Sequence, residues 1–86
     1  MSGIDSLIDA AVLVALKNGP KTVGELHVMM GSPTVGLGLT VMHLEHAKLI
    51  IGYGLPRRYG MLDAGERALE EWRRRAGELV QRAWDD

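Results

Sequence analysis

Between Thr22 and Tyr53 the chain carries start and stop signals for two short helices and a strand, with a single glycine between the helices. Thr22-Val23-Gly24-Glu25 is a capping box, in which a threonine and a glutamate three residues on satisfy each other's free backbone N–H groups. It predicts a helix through about Met30, with Val23, Leu26 and Met30 inward, broken at Gly31. Ser32 is a good N-cap, and Pro33 fits the first helical position, where a missing N–H costs nothing. A second helix is therefore expected over 32–47. On it Leu37, Val41, Leu44 and the stem of Lys48 share one stripe, while Gly36, Leu39, His43 and His46 share the opposite one, flanked by Val35 and Met42. The inner stripe belongs to a core. The outer one is oddly apolar for a surface.

Leu49 to Tyr53 and Arg58 to Met61 are short segments rich in β-branched and aromatic residues, and Gly54-Leu55-Pro56-Arg57 between them is a turn, so the pair reads as a hairpin. Before the capping box, Ser6-Leu7-Ile8-Asp9 opens a helix that runs to about Lys17 and ends at Asn18-Gly19-Pro20. Ile8, Val12, Ala15 and Leu16 form one stripe of it, yet Leu7, Ala10 and Val14 make the reverse side apolar too. Such a helix is buried on two sides, against the last helix or another subunit. From Asp63 to about Trp84 a long helix is indicated, with Gly65, Leu69, Trp72, Ala76, Val80 and Ala83 as its stripe and Leu79 and Trp84 on the margins. The spacing 69, 72, 76, 79, 83 alternates three and four, as in a coiled-coil seam.

The order is helix, helix, turn, helix, β-hairpin, long helix. The expected fold is mainly α with a small β-hairpin (α+β): a winged helix-turn-helix with a long C-terminal dimerisation helix. At 86 residues it is expected to form one domain, with 1–62 as helix-turn-helix core and wing and 63–86 as the last helix. So short a chain buries a modest core, which favours pairing into a homodimer. The formal net charge of −1 gives no global basic field, so any nucleic-acid contact must come from local patches. Cysteine is absent, which excludes disulfides and thiolate metal sites. The longest apolar run, Ala10 to Leu16, is too short to span a bilayer and lacks a preceding basic segment. A cytoplasmic protein without a membrane partner is expected.

From Thr22 to Ile50 the sequence resembles winged-helix regulators of the MarR, PadR and ArsR kinds. TVGEL is similar to the start of their second helix, and LEHAKLI to their L-E-x-A-G-L-I, which closes the recognition helix and enters the wing. Tyr59-Gly60-Met61-Leu62-Asp63-Ala64-Gly65-Glu66-Arg67-Ala68-Leu69 resembles the PadR-type Y-R-L-T-D-A-G-R-x-A-L. The resemblance implies a homodimeric transcriptional regulator that binds double-stranded DNA in a sequence-specific way, with the helix over 32–47 in the major groove and the wing at 54–58 on the backbone. The chain departs from the pattern where Lys48 replaces the usual Gly, where Leu62 replaces a capping Thr, and where Gly36, Gly38, Leu39, Met42 and His43 replace mostly polar outer residues.

DNA contact needs donors for phosphates and groups that bond base edges. The candidates are Ser32, Thr34, Thr40, His43 and His46 on the recognition helix, with Arg57 and Arg58 in the wing. The bland reading of the arginines is two solvated cations in a turn. His43 and His46 stand three apart, but a zinc site wants three or four protein ligands, so two surface histidines and no metal are expected. Gly36-Leu37-Gly38-Leu39 lies inside a predicted helix rather than in a strand–helix loop, so it is no phosphate cradle. Arg73-Arg74-Arg75 is offset by Glu70, Glu71 and Glu78, each four residues before an arginine. No nucleophile with a nearby base and no cofactor fingerprint occurs, so neither an enzyme nor a cofactor is expected. The dimer interface is assigned to Leu7, Val14, Leu69, Trp72, Ala76, Leu79, Val80, Ala83 and Trp84. A rival reading uses the apolar outer face, Val35, Leu39 and Met42, to bind a protein partner, as an anti-repressor or adaptor would.

Overall fold

The computed structural model describes residues 4, 6–31 and 36–85. Its elements are α1 (Leu7–Leu16), α2 (Val23–Met30), α3 (Leu37–His46), β1 (Ile50–Tyr53), β2 (Arg58–Met61) and α4 (Asp63–Asp85). Order and type follow the sequence reading.

Helix α1 is the hub, packed against α2, α3, α4 and β2. This accounts for Ala10 on its reverse side but not for Leu7 and Val14, which stay exposed, and it changes which residues face inward. Ala10, Val12, Leu13, Ala15 and Leu16 are buried, whereas Ile8, placed on the core stripe by periodicity, is 40% exposed. Neighbours on several sides demand an arc wider than one stripe, and Ile8 falls outside it. The first turn is capped where expected: the Asp9 N–H donates to Ser6 Oγ at 3.3 Å. Around α1 the core gathers Leu26, Leu37, Val41, Leu44 and Ile50, all fully buried, with Val23 and Met30 half-buried against them.

The second helical segment keeps its full capping box: Glu25 N–H donates to Thr22 Oγ1 at 3.1 Å, and Thr22 N–H donates to Glu25 Oε1 at 3.0 Å. It ends at Gly31 in the left-handed region (φ 72°), where only glycine has no β-carbon to clash. The third helix is shorter than predicted. It begins at Leu37, with Gly36 at the N-cap position at φ 107° and no side-chain cap. A left-handed residue cannot lie within the helix, so Gly36 separates it from the predicted start; Ser32, Pro33, Thr34 and Val35 lie outside the described residues.

Lys48 does not continue the core stripe as expected. It stands beyond the helix, exposed, at φ 62°. Lys48 N–H donates to Glu45 O and Leu49 N–H to Leu44 O, both at 3.0 Å, which is the Schellman pattern of a helix end. The buried pair Leu44 and Leu49 supplies the apolar contact that accompanies it. This reversal is why a strand follows α3 at once.

Strands β1 and β2 pair antiparallel from Ile50↔Met61 to Tyr53↔Arg58. Lys21 adds an unpredicted bridge to the outer edge of β2: Lys21 N–H donates to Tyr59 O at 3.1 Å and Tyr59 N–H to Lys21 O at 2.8 Å. The hairpin is thereby tied to the residue that precedes the N-cap of α2.

Helix α4 is docked only at its start. Gly65, Ala68 and Leu69 are buried and Trp72 is half-buried on the core; beyond it, of the described side chains, only Ala76 is not exposed. Leu69, assigned to a dimer seam, is therefore part of this chain's own core. The 23 residues of α4, about 34 Å of helix, account for much of the 50 Å long axis.

Candidate nucleic-acid interface

The outer face of α3 carries Gly38, Leu39, Met42, His43 and His46, all exposed, with Thr40 half-buried. Leu39 and Met42 are 71% and 63% exposed, so the apolar character read from the sequence is real surface. Helix α2 adds the exposed Val28 and Met29. Two of the seven predicted contact residues, Ser32 and Thr34, lie outside the described residues, as does Val35 of the rival face.

His43 Nε2 lies 3.7 Å from Oδ2 of Asp9, a buried carboxylate on α1, so His43 reaches back towards the helix behind it. Nothing in the sequence linked Asp9 to α3, since the two are far apart in the chain. Among the described residues no three histidine or carboxylate groups converge as a metal site.

The two wing arginines diverge. Arg57, in the turn, donates from Nη2 to Glu45 Oε2 at 2.8 Å and from Nε to the Tyr59 hydroxyl at 3.3 Å, with its guanidinium 5.6 Å from the Tyr59 ring centre. Arg58 opens β2 and donates from Nη1 to Glu25 Oε1 at 3.3 Å. The Tyr59 hydroxyl, and after it the Glu45 carboxylate, raise the Arg57 pKa above its ordinary value. The Thr22 N–H holds the Glu25 carboxyl below its ordinary value, with Arg58 and Lys21 adding to the effect. Glu45 also accepts the Gly52 N–H at 3.2 Å. Neither wing arginine is the freely solvated cation of the bland reading. The sequence carried one clue to this: a glycine, Gly52, inside a strand, the usual mark of a close approach.

A second surface lies between α1 and α4. A groove of about 610 Å³ is lined by Val14, Lys17, Met61, Leu69, Trp72 and Arg73, among others. Leu7 and Val14 on α1 are exposed, as are Leu79, Val80, Ala83 and Trp84 on α4, the last by 85%. On the same helix Glu71 and Arg75 form the expected i,i+4 pair at 3.0 Å.

Against known proteins the sequence itself is silent: no family model matches it, and no curated protein does. The three-dimensional arrangement is not. It is similar to the crystal structure of a PadR family transcription regulator from hypervirulent Clostridium difficile R20291, with a TM-score of 0.69 and 17% identity, covering 93% of this chain and 96% of that one. The fold is a PadR-like winged helix. Within it α2 and α3 form the helix-turn-helix, β1 and β2 the wing, and α4 the long C-terminal helix. No helix among the described residues is long and apolar enough to cross a membrane.

Proposed function

We propose that the chain is a sequence-specific, DNA-binding transcriptional regulator that acts in the cytoplasm as a homodimer, each subunit a single winged-helix domain. Helix α3 would enter the major groove with Thr40, His43 and His46, Ser32 and Thr34 would contribute from its N-terminal side, and Arg57 and Arg58 would hold the backbone. The observation that carries this reading is the tie between the wing and α3, Arg57 to Glu45 at 2.8 Å, within a fold similar to that of a transcription regulator. In this reading it sets Arg57 beside the end of the helix that would read base edges, with Arg58 held by Glu25 at the start of α2. Dimerisation would use the exposed apolar residues of α1 and α4, and two-fold pairing implies half-sites about one helical turn apart.

Charge shapes the expectation. Within 19–62 the only carboxylates are Glu25 and Glu45, against Lys21, Lys48, Arg57 and Arg58. That small local excess implies modest affinity and a shallow salt dependence, because few phosphates are neutralised. Fluorescence titration of the dimer against genomic duplex fragments at low salt tests the reading, and binding without any sequence preference, or none at all, refutes it.

The exposure of Leu39 and Met42 supports a second reading, a protein-binding face on α3. Leu39→Arg set beside Arg57→Ala with Arg58→Ala separates the two. Loss of a protein partner on the first change, with the arginine change silent, favours the second reading.

A further inference from the structure

Every carboxylate between residues 19 and 62 is engaged with a wing arginine: Glu45 with Arg57 and Glu25 with Arg58. Each glutamate is also fixed from the backbone, Glu45 by the Gly52 N–H and Glu25 by the Thr22 N–H. Gly52 is what lets Arg57 lie back across β1. A β-carbon there would stand 2.7 Å from both Nε and Nη2 of the guanidinium, and 2.8 Å from a Tyr59 ring carbon. The carboxylates are thus anchored on α2 and α3, and the backbone of β1 leaves room for the folded-back arginine.

We propose that Glu45 and Glu25 are positioning residues that hold Arg57 and Arg58 against the helix-turn-helix until nucleic-acid phosphate displaces them, so that the wing engages DNA by ion-pair exchange. This rests on the DNA-binding reading above. All four side chains are between a third and just over half exposed, so the pairs are weak enough to be exchanged. A backbone phosphodiester offers guanidinium the same bidentate geometry and the same single negative charge as a carboxylate, and duplex DNA presents a dense row of them. A paired arginine adds little to attraction at a distance, so the wing cations act only after α3 has come close.

The test uses Glu25→Gln, Glu45→Gln and the double variant of the full chain. Glutamine still accepts the Thr22 and Gly52 N–H groups and keeps the capping box, so the fold survives and a thermal melt verifies it. Without DNA, arginine side-chain NMR should show resolved, slowed Arg57 Nη signals in the parent and averaged ones in Glu45→Gln. With a genomic duplex that the parent binds, the double variant should bind roughly tenfold more tightly at low salt. That gain should vanish when Arg57→Ala and Arg58→Ala are added. A gain that persists without the arginines is a general charge effect and overturns the proposal, as does no gain, or Arg57 signals alike in parent and variant. Slowed Arg57 signals with no duplex bound by parent or variants would instead bring down the DNA-binding reading, and the exchange with it.

Discussion

The carbonyl oxygen of Leu49 occupies the space that a β-carbon on Gly65 would need. That oxygen is not free to retreat, because it accepts the Leu62 N–H at 3.0 Å where the chain enters α4. Met61 Cγ closes the other side, 2.9 Å from the same point. Two effects oppose each other in Gly65→Ala: helix propensity favours alanine by about 1 kcal/mol, and overpacking against a fixed backbone costs about 1–3 kcal/mol. The clash should win. The variant is expected to lose about 1–2 kcal/mol in urea unfolding, and an unchanged or raised midpoint would show that α4 shifts to make room.

Lys48 presents the opposite case. A lysine at φ 62° carries the left-handed penalty of roughly 1–2 kcal/mol, partly offset because glycine would loosen the unfolded chain by about 0.4–1 kcal/mol. Lys48→Gly should therefore stabilise the fold by about 0.5–1 kcal/mol, visible as a higher melting temperature. Lys48→Val should do the reverse, since a β-branched residue fits that region worst. Equal melting of all three proteins would refute the argument.

These two positions show what the sequence did and did not disclose. Helix and strand bounds were legible wherever a local signal set them: Thr22 with Glu25, the glycine at 31, and the turn at 54–57 all sit where expected. The start of α3 was not, because Ser32 and Pro33 are a sound local start signal while Gly36 adopts a conformation no helix contains. The facing of α1 was misjudged for another reason. Periodicity finds one stripe, and a helix packed against four elements buries a broader arc. At the candidate site the residue types were legible but their pairings were not. Glu45 and Arg57 are twelve residues apart, Glu25 and Arg58 thirty-three, and only the folded hairpin brings them together.

The box at the start of α2 predicts an acid-sensitive element. The Glu25 carboxyl titrates below its ordinary value in the folded chain, first because the Thr22 N–H donates to it. A folded-state pKa below the unfolded one means that its contribution is fully present above the unfolded value and fades as pH falls through the folded value. Stability measured across the acid limb should fall over that window in the parent, and the Glu25 share should be missing in Glu25→Gln. A parent and variant with the same acid profile would refute the assignment. Thr22→Ala removes the hydroxyl that caps the helix and should cost about 1 kcal/mol at neutral pH.

The C-terminal half of α4 sets the last prediction. Beyond Trp72 the described side chains are exposed except Ala76, which is half-buried, and the segment includes Leu79, Val80 and Trp84. A helix end of about a dozen residues without packing is marginal in water, and most helical stability comes from burying a face. The proposed partner would bury this one, together with Leu7 and Val14 of α1, which are exposed on the hub helix. Leu79→Glu combined with Trp84→Ala should therefore convert the dimer to a monomer at tens of micromolar, roughly the range where small dimers persist. The same variant should lose helical circular dichroism equivalent to the last turns of α4, while the core melts as before, because neither side chain is buried within the chain. A parent protein that sediments as a monomer while keeping its full helical signal would refute both parts.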